Sequence, residues 1–292
     1  MSTPQPHCGI IGLGLVGAAL AERLLSAGCR VTGYDIRAEQ TEALRLMGGE
    51  PVSSSAEAAR RSAHLMLSLP TSAVVAGVLN EISPQLQPGA IVIDTTTGAP
   101  EDGALFAARL GALGVDYVDA TVGGSSRQVR QGEAIFICGG TEEAFHRCRD
   151  LLSLCSRQVF HVGPPGSGAA MKLVLNLVLG LNRAVLAEGL AFARACGIDP
   201  KLALEILKAG PAYSRAMDTK GDRMLEENFE PEARLSQHLK DVRLILAEGE
   251  RAGARLPLSE VHRKLLEEAE AAGLGPADNS AIIKLFQKEF CR

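Results

Sequence analysis

The sequence has no tryptophan, and aromatic residues make up only 4% of it. So few stacking platforms argue against a protein that grips single-stranded nucleic acid by its bases. Excess positive charge is missing as well: 30 Lys and Arg stand against 34 Asp and Glu, a formal net charge of −4. No global basic field draws in nucleic acid or an anionic membrane. The seven cysteines, Cys8, Cys29, Cys138, Cys148, Cys155, Cys196 and Cys291, form no C-x-x-C pair and are odd in number. They read as reduced thiols packed as small hydrophobes in a cytoplasmic protein. Met1-Ser2-Thr3-Pro4-Gln5-Pro6 lacks the basic-then-apolar order of a signal peptide. Lys172, Arg183, Glu188 and Arg194 interrupt the most apolar region, which argues against a membrane span. His7, His64, His146, His161, His238 and His262 show no ligand spacing, so no metal site is expected. Lysine is absent before Lys172. An amine with a tunable pKa must therefore come from the second half, because arginine does not deprotonate in proteins.

What is present is an ordinary globular mix, 46% hydrophobic and 22% charged, over 292 residues. That length suits two compact domains. Short apolar runs at Cys8–Gly12, Arg30–Asp35, His64–Leu69, Ala90–Asp94, Val115–Asp119 and Ala134–Cys138 alternate with helical spacing. The helical segments are Gly17–Ala27, Ala38–Met47, Ala56–Ser62, Ala73–Ile82 and Gly103–Leu113. Such alternation predicts a parallel sheet with helices on both faces. After a last run at Val159–Val162 and the turn Gly163-Pro164-Pro165-Gly166, only helical periodicity remains. Ala169–Ala195 reads as one helix about 40 Å long, apolar around most of its circumference and so expected to be buried. Asp199–Lys208, Arg234–Ala252, Leu258–Ala272 and Ser280–Phe290 read as further helices. The expectation is a doubly wound Rossmann-type α/β domain over 1–163. An all-α substrate and oligomerisation domain over 164–292 follows, joined to it by the long helix.

Gly12-Leu13-Gly14-Leu15-Val16-Gly17 is a G-x-G-x-x-G run between a predicted strand and a predicted helix. Glycines there allow the tight turn and close backbone approach to a pyrophosphate, and the helix N-terminus supplies N–H donors. Asp35 ends the second strand, where a carboxylate can accept from both ribose hydroxyls. It argues for NAD; Arg37, able to pair with a 2′-phosphate, keeps NADP open. Leu69-Pro70-Thr71-Ser72 and Asp94-Thr95-Thr96-Thr97 follow strands and fall where ligands of open parallel sheets gather. Lys172 and Asn176 are i and i+4 on the long helix and share a face. A lysine in an apolar helix is costly unless it reaches water or a partner, and desolvation suits an amine to proton transfer.

Together these blocks resemble the β-hydroxyacid dehydrogenase family. It includes 3-hydroxyisobutyrate dehydrogenase and tartronate semialdehyde reductase and is related to 6-phosphogluconate dehydrogenase. The resemblance runs through Gly9–Gly17, Leu69–Ser72, Asp94–Thr97, Asp119–Ser125, Gly166–Gly168 with Lys172 and Asn176, His238–Asp241 and Asp278–Ala281. It implies hydride transfer between NAD(P) and a small β-hydroxyacid or its semialdehyde, in a homodimer or homotetramer. By resemblance Lys172 is the general acid/base and Asn176 orients the substrate. Lys240 lies near nicotinamide and substrate anion. Leu69, Pro70, Thr71 and Thr97 line the cofactor, and the backbone of Gly123, Gly124 and Ser125 holds the substrate carboxylate. The fourth block departs from the family's D-A-P-V-S-G-G, with Thr121 for Pro, Gly123 for Ser and Ser125 for the second Gly. Two alternatives follow: reduction of an atypical anionic aldehyde of the sulfolactaldehyde type, or a non-catalytic dinucleotide-binding role.

Overall fold

The structure, a computed structural model, describes residues 6–287; Cys291 lies outside them. The glycine-rich start folds as β1 (His7–Ile11) and α1 (Leu15–Ser26). Then come β2 (Arg30–Tyr34), α2 (Ala38–Leu46), a two-residue β3 (Glu50–Pro51) and α3 (Ser55–Arg61). β4 (His64–Leu67), α4 (Ser72–Ile82), β5 (Ile91–Asp94) and α5 (Pro100–Gly111) continue the alternation. β6 (Asp116–Gly123), α6 (Ser126–Gln131), β7 (Ile135–Gly139), α7 (Glu142–Ser153) and β8 (Gln158–Gly163) complete the sheet. Helix starts carry local signals. Ser54, Thr71 and Thr141 accept from the backbone N–H three residues on, and Pro100 pre-sets the first turn of α5.

The eight strands order as β3-β2-β1-β4-β5-β6-β7-β8. All neighbours are parallel except β6 and β7. The expectation of an all-parallel sheet is corrected there: the link through six-residue α6 is too short for a parallel crossover, so the chain doubles back. One face of the sheet packs Ile10, Leu20, Leu24 and Phe136, with Cys8, Cys29, Cys138, Cys148 and Cys155 among them. The other packs Leu65, Leu67, Leu79, Ile82 and Val92. The buried thiols are therefore the small hydrophobes expected, and burial pushes Cys148 and Cys155 up to about 12. Cys196 is exposed. β8 is an edge strand with exposed Phe160 and Val162.

The remaining chain is helical: α8 (Ser167–Ala195), α9 (Pro200–Ala209), α10 (Arg215–Leu225), α11 (Leu235–Arg251) and α12 (Pro257–Ala269). A π-turn at Glu270–Leu274 and a 3-10 helix at Asn279–Phe286 close it. The chain forms two compact units that divide between Lys172 and Leu173. The division lies inside α8. In the second unit Leu190, Leu204, Met224, Leu235, Leu239, Leu266 and Ile282 form the core. α8 is long and apolar enough, by length and composition alone, to cross a membrane. Its buried face nevertheless carries Lys172, Asn176 and Arg183, as a protein core helix does and a lipid-facing helix does not. Its outer side is more open than expected: Val174, Val178, Val185 and Phe192 are 50–68% exposed.

Asp278 ties this second core together. Its carboxylate is fully buried and accepts from Lys220 Nζ at 2.9 and 3.0 Å and from Ser280 Oγ at 2.7 Å. The backbone N–H groups of Ser280, Glu232 and Ala233 also donate to it. Burial alone would raise its pKa; the Lys220 charge and these donors outweigh it and hold the group at about 2.

Candidate functional site

β1, β2, β4, β5 and β6 are parallel, so the segments that follow them leave from one edge of the sheet. Strand order reverses at β1 and β4, the place where open sheets bind nucleotides. At that point Gly12 has φ +91°, and a Cβ on it would lie 2.3 Å from the Ser68 carbonyl oxygen. A Cβ on Gly17 would lie 1.9 Å from the Gly12 carbonyl oxygen, so this glycine lets α1 seat on the turn. Gly14 differs: nothing approaches its Cβ position nearer than Arg37 Nη2 at 3.9 Å. α1 begins there with no side-chain cap. Two glycines shape the turn, one leaves it open, and the helix presents N–H groups without a side-chain acceptor. That fits the pyrophosphate of a dinucleotide.

Asp35 follows β2 and faces the same loop. Its Oδ2 accepts from Leu13 N at 2.8 Å, and its Oδ1 accepts from Arg37 N at 2.9 Å and Arg37 Nε at 3.1 Å. Burial acts to raise its pKa, but the Arg37 and Leu13 hydrogen bonds prevail and hold it below the usual carboxylate range. The Arg37 side chain is half exposed. Between them Ile36 is 89% exposed, a bare apolar side chain suited to an adenine face and not singled out from the sequence. Thr71 caps α4, and Leu69 N donates to Thr96 Oγ1 at 3.2 Å. Thr97 directly follows a polar knot at the end of β5. There Asp94 accepts from Thr96 N and Tyr117 Oη, both at 2.9 Å, and burial pushes it up to about 6.

β6 supplies the other half of this edge. Lys172, 9% exposed, donates from Nζ to the Val122 carbonyl oxygen at 2.7 Å. Val122 immediately precedes Gly123, Gly124 and Ser125. Gly124 has φ +153°, and a Cβ there would lie 3.2 Å from Ala134 and Gln128 atoms. Ser125 turns out to be committed locally. Its Oγ accepts from Gln128 N and its own N–H donates to Gln128 Oε1 at 2.9 Å, a complete capping box for α6. The signal was present as Ser125-x-x-Gln128. Of the three loop residues expected to hold an anion, Gly123 and Gly124 are left for that task. Arg130 pairs with Glu22 at the surface.

In the second unit, Asn176, Lys240 and Asp241 come together. Asn176 Nδ2 donates to Asp241 Oδ2 at 2.9 Å, and Lys240 Nζ lies 3.2 Å from Asp241 Oδ1. Asp241 thus fixes which way the Asn176 amide points and where the Lys240 ammonium rests. In the sequence, Asp241 stands only as the last residue of the His238–Asp241 block. Behind Asn176 on α8, a Cβ on Gly180 would lie 2.3 Å from His238 and 2.8 Å from His262. His262 and Arg183 are buried nearby, and burial lowers them to about 4 and about 10. Among the described residues no group of His, Cys, Asp and Glu is arranged to hold a metal.

Residues 7–163 match the family described as the NAD binding domain of 6-phosphogluconate dehydrogenase. Residues 166–286 match the one described as NAD-binding of NADP-dependent 3-hydroxyisobutyrate dehydrogenase. The chain is 30% identical to 2-(hydroxymethyl)glutarate dehydrogenase of Eubacterium barkeri, over 96% of this chain and 94% of that one. It is 29% identical to 2-hydroxy-3-oxopropionate reductase of Escherichia coli, over 96% of each. The solved 3-hydroxyisobutyrate dehydrogenase of Salmonella typhimurium superposes with a TM-score of 0.89 at 27% identity, covering 96% of this chain and all of that one.

Proposed function

The chain belongs to the β-hydroxyacid dehydrogenase family, an NAD(P)-dependent oxidoreductase of small hydroxyacids or their semialdehydes, and we propose that Lys172 is its proton-transferring residue. The observation that carries this reading is the Lys172 Nζ–Val122 O bond of 2.7 Å, which aims a buried ammonium beside Gly123 and Gly124. An ammonium has three donors. The Val122 carbonyl takes one of them.

NAD or NADP, when bound, supplies the hydride donor or acceptor. Gly12, Leu13, Gly14, Leu15, Val16 and Gly17 receive its pyrophosphate, and Asp35 receives the ribose hydroxyls. Arg37 moderates the repulsion a 2′-phosphate would meet from Asp35, so NAD is favoured and NADP tolerated. Leu69, Pro70, Thr71 and Thr97 line the nucleotide. Backbone N–H groups at Gly123 and Gly124 hold the substrate carboxylate. Lys172 gives its proton to the carbonyl oxygen in reduction and takes the hydroxyl proton in oxidation. Asn176, its amide set by Asp241, orients the same oxygen, and Lys240 meets the substrate anion. Gly123, in place of a side-chain hydroxyl, widens the anion site and favours a bulkier or differently charged head group than 3-hydroxyisobutyrate presents.

The enzyme works in the cytoplasm as a homodimer or homotetramer, without nucleic acid or membrane partners. The exposed stripe Val174, Val178, Val185 and Phe192 on α8 supports self-association, since apolar surface of that extent on a soluble chain marks an interface. The test is a panel of small hydroxyacids, semialdehydes and sulfolactaldehyde with each cofactor, for the wild type and Lys172→Met. General acid/base help is worth about 10²–10⁴-fold, so the variant loses that much turnover and still binds NADH. Equal turnover by Lys172→Met removes the role assigned to this lysine.

A further inference from the structure

We infer that Asp119 is a positioning residue for Lys172: its buried carboxylate bolts the first turn of α8 to β6 and so sets where the lysine ammonium sits. The inference rests on the reading of Lys172 given above. Asp119 is 3% exposed. Its Oδ1 accepts from Gly166 N and its Oδ2 from Ala169 N, both at 2.7 Å. These are N–H groups at the start of a helix, which have no partner within the helix itself. A carboxylate there also meets the positive end of the helix dipole.

Two glycines are shaped around this carboxylate. A Cβ on Gly139 would lie 2.6 Å from Asp119 Oδ1, and one on Gly168 would lie 2.7 Å from Asp119 Oδ2. Any side chain at either position would push the helix off the strand. Further along the same strand, Thr121 Oγ1 lies 3.2 Å from the Gly168 carbonyl oxygen and equally far from that of Ile137, and shares its proton between them. Val122 then accepts from Lys172 Nζ. Strand β6 therefore grips α8 at Asp119, Thr121 and Val122 in succession. From Ala169, where the carboxylate holds, to Lys172 is less than one helical turn. A rigid turn passes any displacement at its root directly to the lysine. Burial pushes the Asp119 carboxyl up to about 7; the backbone donors at Gly166 and Ala169 act against the rise, and the neighbouring Asp94 charge adds to it. The ordering of α8 is thus bought with a desolvated acid in the sheet interior.

The experiment compares Asp119→Asn, Thr121→Val and Lys172→Ala with the wild type. Asn keeps the shape but offers one acceptor and one donor where two acceptors are required. Turnover is measured as reduction of succinic semialdehyde and of 2-hydroxy-3-oxopropionate across pH, NADH binding by fluorescence titration, and lysine accessibility by acetic anhydride labelling read by mass spectrometry. For Asp119→Asn the expected result is a fall in kcat of about 10- to 100-fold with aldehyde KM and NADH affinity nearly unchanged, as for a misplaced catalytic group. A displaced limb of the kcat–pH profile and several-fold faster labelling of Lys172, relative to Lys284, complete it. Thr121→Val shows the same pattern more weakly, and it stands in if the Asn variant does not fold. Unchanged turnover, pH profile and Lys172 labelling in Asp119→Asn, beside an inactive Lys172→Ala, overturns the inference and spares the role of the lysine. Full activity in Lys172→Ala overturns that role instead, and the labelling alone then decides whether Asp119 positions the amine. Loss of NADH binding together with kcat marks Asp119 as a general fold residue and also overturns the inference.

Discussion

Asp278 offers a sharp test of how the second unit is held together, and of whether a motif that reads like a site is one. Asp278→Asn keeps the side chain's outline and removes its charge. The native carboxyl sits at about 2 against an ordinary 3.8, because Lys220 and several donors overcome the cost of burial. A shift of that size corresponds to roughly 2–3 kcal/mol of stability near pH 7. The sign is fixed by the direction of the shift. A depressed carboxyl stabilises fully above its unfolded pKa and ceases to do so as pH falls from about 4 toward 2. The variant also leaves the Lys220 ammonium, whose side chain is only 11% exposed, with the longer 3.4 Å contact to Glu232 as its remaining ion pair. Removing one partner of a buried pair costs about 3–5 kcal/mol in total. We therefore expect a loss of that order, measured by urea unfolding. Far-UV circular dichroism is the reporter, because the chain has no tryptophan. The gap between wild type and variant narrows as pH falls below about 4. Adding Lys220→Met recovers the share due to the weakly paired ammonium but not the share due to the Ser280, Glu232 and Ala233 amides. Molecules that remain folded keep their kcat, because this carboxylate is fully committed within its own unit. A loss below about 1 kcal/mol, or one independent of pH, refutes the reasoning.

Other expectations concern the cofactor loop and a buried imidazole. Asp35→Ala raises the NADH dissociation constant at least about tenfold, the loss expected for hydrogen bonds to a charged acceptor; unaltered binding in a fluorescence titration would remove Asp35 from the ribose. Gly17→Ala abolishes NADH binding and lowers the melting temperature, since its methyl would sit 1.9 Å from the Gly12 carbonyl oxygen; a normal melting curve contradicts this packing. His262 has its pKa lowered to about 4 by burial and then by Arg183, so it stabilises the fold above pH 6.5 and loses that contribution as pH falls toward 4. The wild type should thus lose up to about 3 kcal/mol over that window. His262→Leu should show a shallower pH dependence in the same unfolding assay, and equal slopes would contradict it.

Much of this architecture is legible in the residues because their signals are local. Gly12, Gly14 and Gly17 announce a turn by their spacing, and Asp35 ends an apolar run where a ribose ligand belongs. Lys172 and Asn176 declare a shared face by simple helical arithmetic. What the sequence hides is decided between distant segments. Asp119 and Gly139 look like an ordinary strand acid and an ordinary glycine until the start of α8 is laid against them. The reversal at β7 depends on the length of a link, not on strand composition, so apolar runs alone read as parallel. α10 escaped because its apolar positions are sparse among Arg215, Asp218, Lys220, Asp222 and Arg223. Ser125 is assigned to the loop by resemblance; its local engagement by Gln128, three residues later, is written in the Ser-x-x-Gln spacing.

The division of the chain inside α8 has a practical corollary for anyone dissecting this enzyme. The turn at Gly163 looks like the natural place to cut. A fragment ending there would keep the nucleotide loop yet lose Gly166, Ala169 and Lys172 together. Asp119 would be left in the sheet with neither donor, and the Val122 carbonyl without its ammonium. Such a half-protein would carry an orphaned acid at its heart, so any loss of cofactor affinity in it would report on damage at the seam before it reported on the cofactor site.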